Sequence, residues 1–133
     1  MNYTSVTVSS SKYPTAGWTI DSVGRITYNG VTRSMMVSIN MAIKNVDNGN
    51  ILKVGLLEDA TNTYPSSTLE STVIPQATQL YYFDTSEPNR EQVISFTAIV
   101  TVKNSSKYSI GYMDPSFSST YGAKHCVLSF IEI

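Results

Sequence analysis

The residues with nucleophilic or acid–base chemistry are few in this chain, and they are scattered. His125 is the only imidazole and Cys126 the only thiol among 133 residues. Neighbouring residues of a β-strand point to opposite faces, so these two are poorly placed to form a nucleophile–base pair. We therefore expect His125 to be structural or to lie at an interface, and Cys126 to be a small core residue. A hydrolase built around His125 and nearby acids remains a third, weaker hypothesis.

The carboxylates offer two further kinds of chemistry. Glu58 and Asp59 end a strand pattern, while Asp84, Glu87 and Glu91 surround a proline-containing loop. A glycosidase needs two carboxyls facing each other across a cleft, and Glu58, Asp59 and Asp84 could ligate calcium. No loop has the dense acidic spacing of a dedicated calcium site, and the sequence motifs of phosphate-binding loops, serine hydrolases and zinc peptidases are missing. We expect no enzyme activity, no cofactor and no metal.

Charge and hydropathy exclude several classes of protein. Nine Lys and Arg residues against ten Asp and Glu give a net charge of −1, which does not provide the basic field that nucleic acid requires. No run of 18 apolar residues exists, and the N-terminus lacks the pattern of a signal peptide. We expect a soluble protein that neither binds nucleic acid nor inserts into a membrane. The length fits one domain over residues 1–133.

Tyrosines are the side chains that most suggest a binding function. The chain has nine Tyr, four Phe and one Trp. Tyr64 and Tyr121 lie next to Pro, Ser or Gly, so we expect them to be exposed, where a ring can stack on a sugar or anchor a protein contact. These two are the candidate glycan contacts. The alternative is that Tyr is simply a good strand residue.

The elements that must position these side chains are strands, because apolar residues recur with a period of two. The clearest strands cover 35–44 and 93–103, the second with Ile99 as an apolar exception on the polar face. Asn29-Gly30 and Asn48-Gly49 suit tight hairpins. This pattern predicts an all-β antiparallel sandwich or jelly roll of about eight to ten strands, with 1–16 an irregular or edge-strand segment. Shorter strand patterns cover 4–8, 25–29, 51–58 (with Gly55 as a bulge or close approach), 79–83, 107–113 and 124–133.

The last strand is apolar on both faces, which predicts self-association. One face of this strand carries Cys126 and the other Val127. Together with the face that holds Tyr108, this is more apolar surface than one sandwich core needs, and a monomer would expose a large patch. The predicted interface residues are Tyr108, Tyr112, Val127 and Ile131.

In order along the chain, these segments resemble a known family. GRITYNG at 24–30, followed by Thr32-Arg33 and the alternating strand 35–43, is similar to the opening of C1q/TNF-like jelly-roll domains of phage and large-DNA-virus structural proteins. The resemblance continues through the strand–link–strand VTVKNSSKYSI at 100–110 and covers about 17–133. One departure is that the family usually has Gly-Asp in this link, where the chain has Ser105-Ser106.

The resemblance implies a homotrimer packed around a threefold axis and placed in a virion as a fibre head, spike or capsid decoration. Such domains contact a host surface, so a glycan or protein receptor is the expected outside partner. The main alternative is a monomeric carbohydrate-binding β-sandwich that uses exposed tyrosines. Oligomeric state separates the two hypotheses.

Overall fold

A computed structural model describes residues 2–6, 10–12, 18–20, 25–45, 51–59, 67–69, 73–82, 91–113 and 121–133. These residues form eleven strands and no helix, one strand more than the upper end of the predicted range. The strands are β1 (Asn2–Val6), β2 (Ser10–Lys12), β3 (Trp18–Ile20), β4 (Ile26–Tyr28), β5 (Arg33–Asn45), β6 (Ile51–Glu58), β7 (Ser67–Leu69), β8 (Val73–Tyr82), β9 (Glu91–Val102), β10 (Lys107–Met113) and β11 (Tyr121–Glu132).

The strands make two sheets, which we call the large and the small sheet. In the large sheet β10 pairs with β6 on one edge and with β4 and β1 on the other, and β8, β3 and β7 extend these pairs. The small sheet has the order β2-β11-β5-β9. All pairs are antiparallel except that of β2 with β11, which is parallel. The predicted all-β jelly roll is confirmed.

The core lies between the sheets because the strands alternate as their sequence predicts. On β5, Met35, Val37 and Ile39 are buried, while the residues between them are only partly covered. Aromatic rings from the two sheets pack against each other at one end of the core. The Trp18 ring lies 4.7 Å from that of Phe130, which belongs to the opposite sheet. Each large apolar side chain that is fully buried contributes about 1.5–3 kcal/mol to folding.

Gly55 interrupts the pairing of β6 with β8, as its place in a strand predicted. The register shifts between Gly55 and Leu57, which marks a bulge or irregularity. A Cβ atom at Gly55 would lie 2.5 Å from the Val73 Cγ2 atom, so the neighbouring strand also approaches closely. The shift agrees with the predicted bulge, whereas the close neighbour is a side chain and not the backbone that the alternative predicted.

Two sequence predictions differ from the structure. Asn29-Gly30 does not close a hairpin, because β4 and β5 belong to different sheets and the segment between them crosses the sandwich. β8 begins at Val73, six residues before the predicted strand. Pro75 made a strand here look unfavourable in the sequence, because proline cannot donate a hydrogen bond to a neighbouring strand. Within the described residues β8 pairs with β6 alone, so it is an edge strand, which tolerates proline. Asn48-Gly49 lies outside the described residues.

Candidate functional site

The outer face of the small sheet carries the most prominent apolar surface of the described residues. In the strand pairing, Ile131 on β11 is opposite Met36 on β5, and Met36 is opposite Ile99 on β9. We call these three residues the outer-face row. Ile99 is 61% exposed and Ile131 is 45% exposed, and neither side chain can turn inward because its strand neighbours fill the core. Val93 and Ile133 add exposed apolar groups.

Most of this outer face is uncharged, although Lys44 on β5 and Glu91 on β9 are opposite each other at one end of it. The outward positions of β5 between Ser34 and Ala42 are Ser, Met, Ser, Asn and Ala. Those of β9 between Val93 and Thr101 are Val, Ser, Thr, Ile and Thr, and Val127, Ser129 and Ile131 complete the surface on β11. Ser95 Oγ donates to Asn40 Oδ1 at 2.6 Å, so two of its polar groups already satisfy each other. Depletion of charged residues is characteristic of the centre of protein interfaces.

The predicted interface residues separate into two groups. Val127 and Ile131 lie on the outer face of the small sheet. Tyr108 is completely buried within the single chain, with its ring 5.8 Å from that of Phe130, so no surface remains to bury against another subunit. This residue is therefore reassigned from the predicted interface to the core. Tyr112 is half-buried and also packs against the core.

Met36 and Ile99 were missed as surface contacts in the sequence. Ile99 broke the alternation of its strand as an apolar residue at an outward position, and this was the signal that could have identified it. Met36 occupies one of the alternate positions of β5 that carry mostly polar residues. Only the pairing of β5 with both β9 and β11 places it between Ile99 and Ile131.

The acids at the end of β6 form a polar cluster that supports the fold. Tyr108 Oη donates to Glu58 Oε2 at 2.8 Å and accepts from the Lys103 backbone N–H at 2.9 Å. Lys103 Nζ lies 3.1 Å from Glu58 Oε1. Burial, followed by the nearby Glu58 carboxylate, raises the pKa of the Tyr108 hydroxyl well above its ordinary value of 10.0. Glu58 is thus bound by structural partners on both oxygens.

Asp59 organises the link between β9 and β10. Its carboxylate accepts from the Lys107 backbone N–H at 2.9 Å and from Ser106 Oγ at 3.1 Å. In the same link Ser105 has a φ of 67°, in the left-handed region, and its N–H donates to the Tyr28 carbonyl at 2.6 Å. Asp59 therefore replaces missing backbone partners at a sharp turn. Asp84 and Glu87, from the other proposed acidic sites, lie outside the described residues.

The only His and Cys of the chain lie at an irregularity in β11. Lys124 pairs with Ala42 and Val127 with Asn40, so the two residues between them share one opposing residue, Met41. The structure describes His125 by its backbone alone. Cys126 is fully buried, with Sγ 3.8 Å from the Met41 Sδ, and burial raises the pKa of its thiol from 9.0 to about 11. The prediction that Cys126 is a core residue is confirmed.

The two candidate glycan contacts remain predictions. Tyr64 lies outside the described residues, and Tyr121 is described only as a backbone position of β11. Among the tyrosines with described side chains, Tyr82 on β8 is the most exposed, at 69%. Within the described residues, no three His, Cys, Asp or Glu side chains come together as metal ligands would, and no helix is long and apolar enough to cross a membrane.

Comparison with known proteins supports the architecture. No family model matches the sequence, and no curated protein matches it. Among solved structures, the fold is similar to that of the Eiger TNF from S. frugiperda, with a TM-score of 0.52 and 10% sequence identity over 87% of this chain and 68% of the other. At this identity the similarity concerns the fold alone. The protein has a TNF-like β-sandwich fold.

Proposed function

We propose that this chain is a non-enzymatic viral structural protein that forms a homotrimer, as a fibre head, spike or capsid decoration in contact with a host surface. The observation that carries the proposal is the outer face of the small sheet, which has few charges and holds the outer-face row toward one end. Neighbouring exposed apolar side chains on one face are a common sign of a protein–protein contact. A second and a third copy of the chain are the occupants that the TNF-like fold favours.

The structural role of Glu58 and Asp59 supports the non-enzymatic part of the proposal. Glu58 and Asp59 both have structural partners within the chain, namely Tyr108, Lys103, Ser106 and Lys107. The viral part rests on the resemblance of the opening strands and of the terminal strand to virus structural domains.

Sedimentation equilibrium at micromolar concentration tests the assembly. A trimer has a mass of about 44 kDa, three times that of the 14.6 kDa chain. Ile99→Lys and Ile131→Lys each place a charge in the outer-face row, and both should shift the protein to the monomer mass while its far-ultraviolet circular dichroism is retained. The matched control is Val31→Lys, because Val31 is 81% exposed in the segment between β4 and β5. This variant should remain trimeric.

Two results would overturn the proposal that the outer face of the small sheet holds a trimer together. One is a wild-type chain that sediments as a monomer, which would favour the carbohydrate-binding alternative. The other is a trimer that persists in both lysine variants, which would place the interface elsewhere. The role in a particle has its own test. Antibodies against the purified domain should label the surface of intact virus particles in immunogold electron micrographs, and unlabelled particles would contradict that role.

A further inference from the structure

A groove opens where the edge strands of the two sheets separate. Where the end of β8 meets the middle of β9 the sandwich is closed, because the Tyr81 ring lies 6.5 Å from that of Phe96 and Tyr81 Oη donates to the Ser95 carbonyl at 3.5 Å. Toward the start of β8 and the end of β9 a groove of about 270 Å³ separates the strands. This volume is just below the roughly 300 Å³ at which pockets for drug-sized ligands begin, so it suits one small ring.

The polar side of the groove is electrically balanced and fixed in position. Glu58 and Lys103 form it, and their carboxylate and ammonium groups are 3.1 Å apart. The buried Tyr108 hydroxyl binds the second carboxylate oxygen and the Lys103 backbone N–H, so it holds the Glu58 carboxylate and the Lys103 backbone in place, and the ion pair alone holds the Lys103 ammonium. A carboxylate accepts hydrogen bonds and an ammonium donates them. The groove therefore offers both functions side by side without a net charge.

The opposite side of the groove is largely apolar. Val73, Ile74 and Pro75 form it, and the exposed amide of Gln76 adds one donor and one acceptor at the rim. The Thr78 hydroxyl donates to the Ile74 carbonyl at 3.0 Å, which satisfies a backbone group of this strand end. A ligand in the groove would thus have hydrocarbon on one side and paired charges on the other.

We propose that this groove binds a neutral sugar ring, such as the terminal residue of a glycan. The C–H face of a sugar can cover the apolar side, while its hydroxyls both donate to Glu58 and accept from Lys103. A wholly apolar ligand would displace the water that hydrates the ion pair and would offer no hydrogen bonds in its place, which makes its binding free energy less favourable. A charged ligand would compete with one member of the existing pair. One chain supplies every residue that lines the groove, so the site goes beyond the proposed trimer, and Thr101 alone also belongs to the outer face of the small sheet.

Nuclear magnetic resonance titration of the full chain tests the site. The probes are the methyl glycosides of glucose, galactose, mannose and N-acetylglucosamine, and the charged comparisons are N-acetylneuraminic acid and glucosamine. At least one neutral glycoside should produce saturable amide shifts at millimolar concentration, confined to Glu58, to 101–103 and to the residues of 73–76 other than Pro75, which has no amide proton. Gln76→Ala, which removes one hydrogen-bonding group at the rim, should weaken this binding roughly three- to tenfold.

Two further variants complete the test. Thr101→Phe should abolish binding, because Thr101 lines the groove and a phenyl ring would fill it. Gln79→Ala is the matched control, since Gln79 is exposed on the same strand but does not line the groove, and the affinity should be unchanged. The proposal is overturned if no neutral glycoside shifts the groove amides at tens of millimolar, if the charged sugars bind more tightly, or if the two glutamine variants behave alike.

Discussion

Removal of the Tyr108 hydroxyl by Tyr108→Phe should lower the free energy of unfolding by about 2–4 kcal/mol. The substitution deletes a 2.8 Å hydrogen bond to the Glu58 carboxylate, and a hydrogen bond to a charged group contributes about 1.5–3 kcal/mol. It also takes the acceptor from the Lys103 N–H, which costs about 1 kcal/mol or more when a buried group loses its partner. The Glu58 side chain is 18% exposed, so water can recover part of the loss.

Urea denaturation at one fixed protomer concentration measures this cost. Tyr82→Phe is the matched control, because Tyr82 is 69% exposed and loss of its hydroxyl should change the stability by less than about 0.5 kcal/mol. Glu58→Gln keeps an acceptor for Tyr108, but it makes this hydrogen bond neutral and loses the pair with Lys103, whose side chain is 57% exposed, so it should cost about 1–2 kcal/mol. A Tyr108→Phe variant as stable as Tyr82→Phe would refute the structural role assigned to this cluster.

Two other substitutions test the link and the buried thiol. Ser105→Gly should be more stable than Ser105→Ala by about 1 kcal/mol in thermal unfolding. Both variants lose the hydroxyl, but only glycine adopts a φ of 67° without strain. Equal stabilities would show that the backbone of the link relaxes in the alanine variant. In the folded chain burial raises the pKa of Cys126 from 9.0 to about 11, so the unfolded thiol ionises first as pH rises. Under reducing conditions the free energy of unfolding should therefore fall between pH 9 and about 11, by at most about 2–3 kcal/mol. Cys126→Ala should lack this component, and identical pH profiles for the two proteins would contradict it.

The long strands could be predicted because their signal is local. In β5 every second residue is apolar, and period-two alternation is sufficient to identify a strand with one buried face. β6 and β10 have the predicted boundaries. The three-residue strands β2, β3 and β7 were missed, since so short a segment becomes a strand only through the partner that it pairs with.

The polar cluster could not be predicted, because its members are distant in sequence. Glu58 and Tyr108 are 50 residues apart, and nothing near Glu58 indicates that a tyrosine hydroxyl will reach it. The sequence analysis could therefore say only that Glu58 and Asp59 end a strand. It also placed Tyr108 at an interface, because alternation shows that a strand has two faces without showing which face meets the second sheet.

The amino-acid sequence by itself determined that this chain is built from strands, that its last strand is apolar on both faces, and that its charges are few and nearly balanced. Only the tertiary structure decided that Ile131, Met36 and Ile99 form one uncharged row, and that Glu58 and Lys103 meet beside an open groove. The reason is physical. A strand's two faces follow from the geometry of its own backbone, whereas its neighbours follow from hydrogen-bonded pairing between segments far apart in the chain.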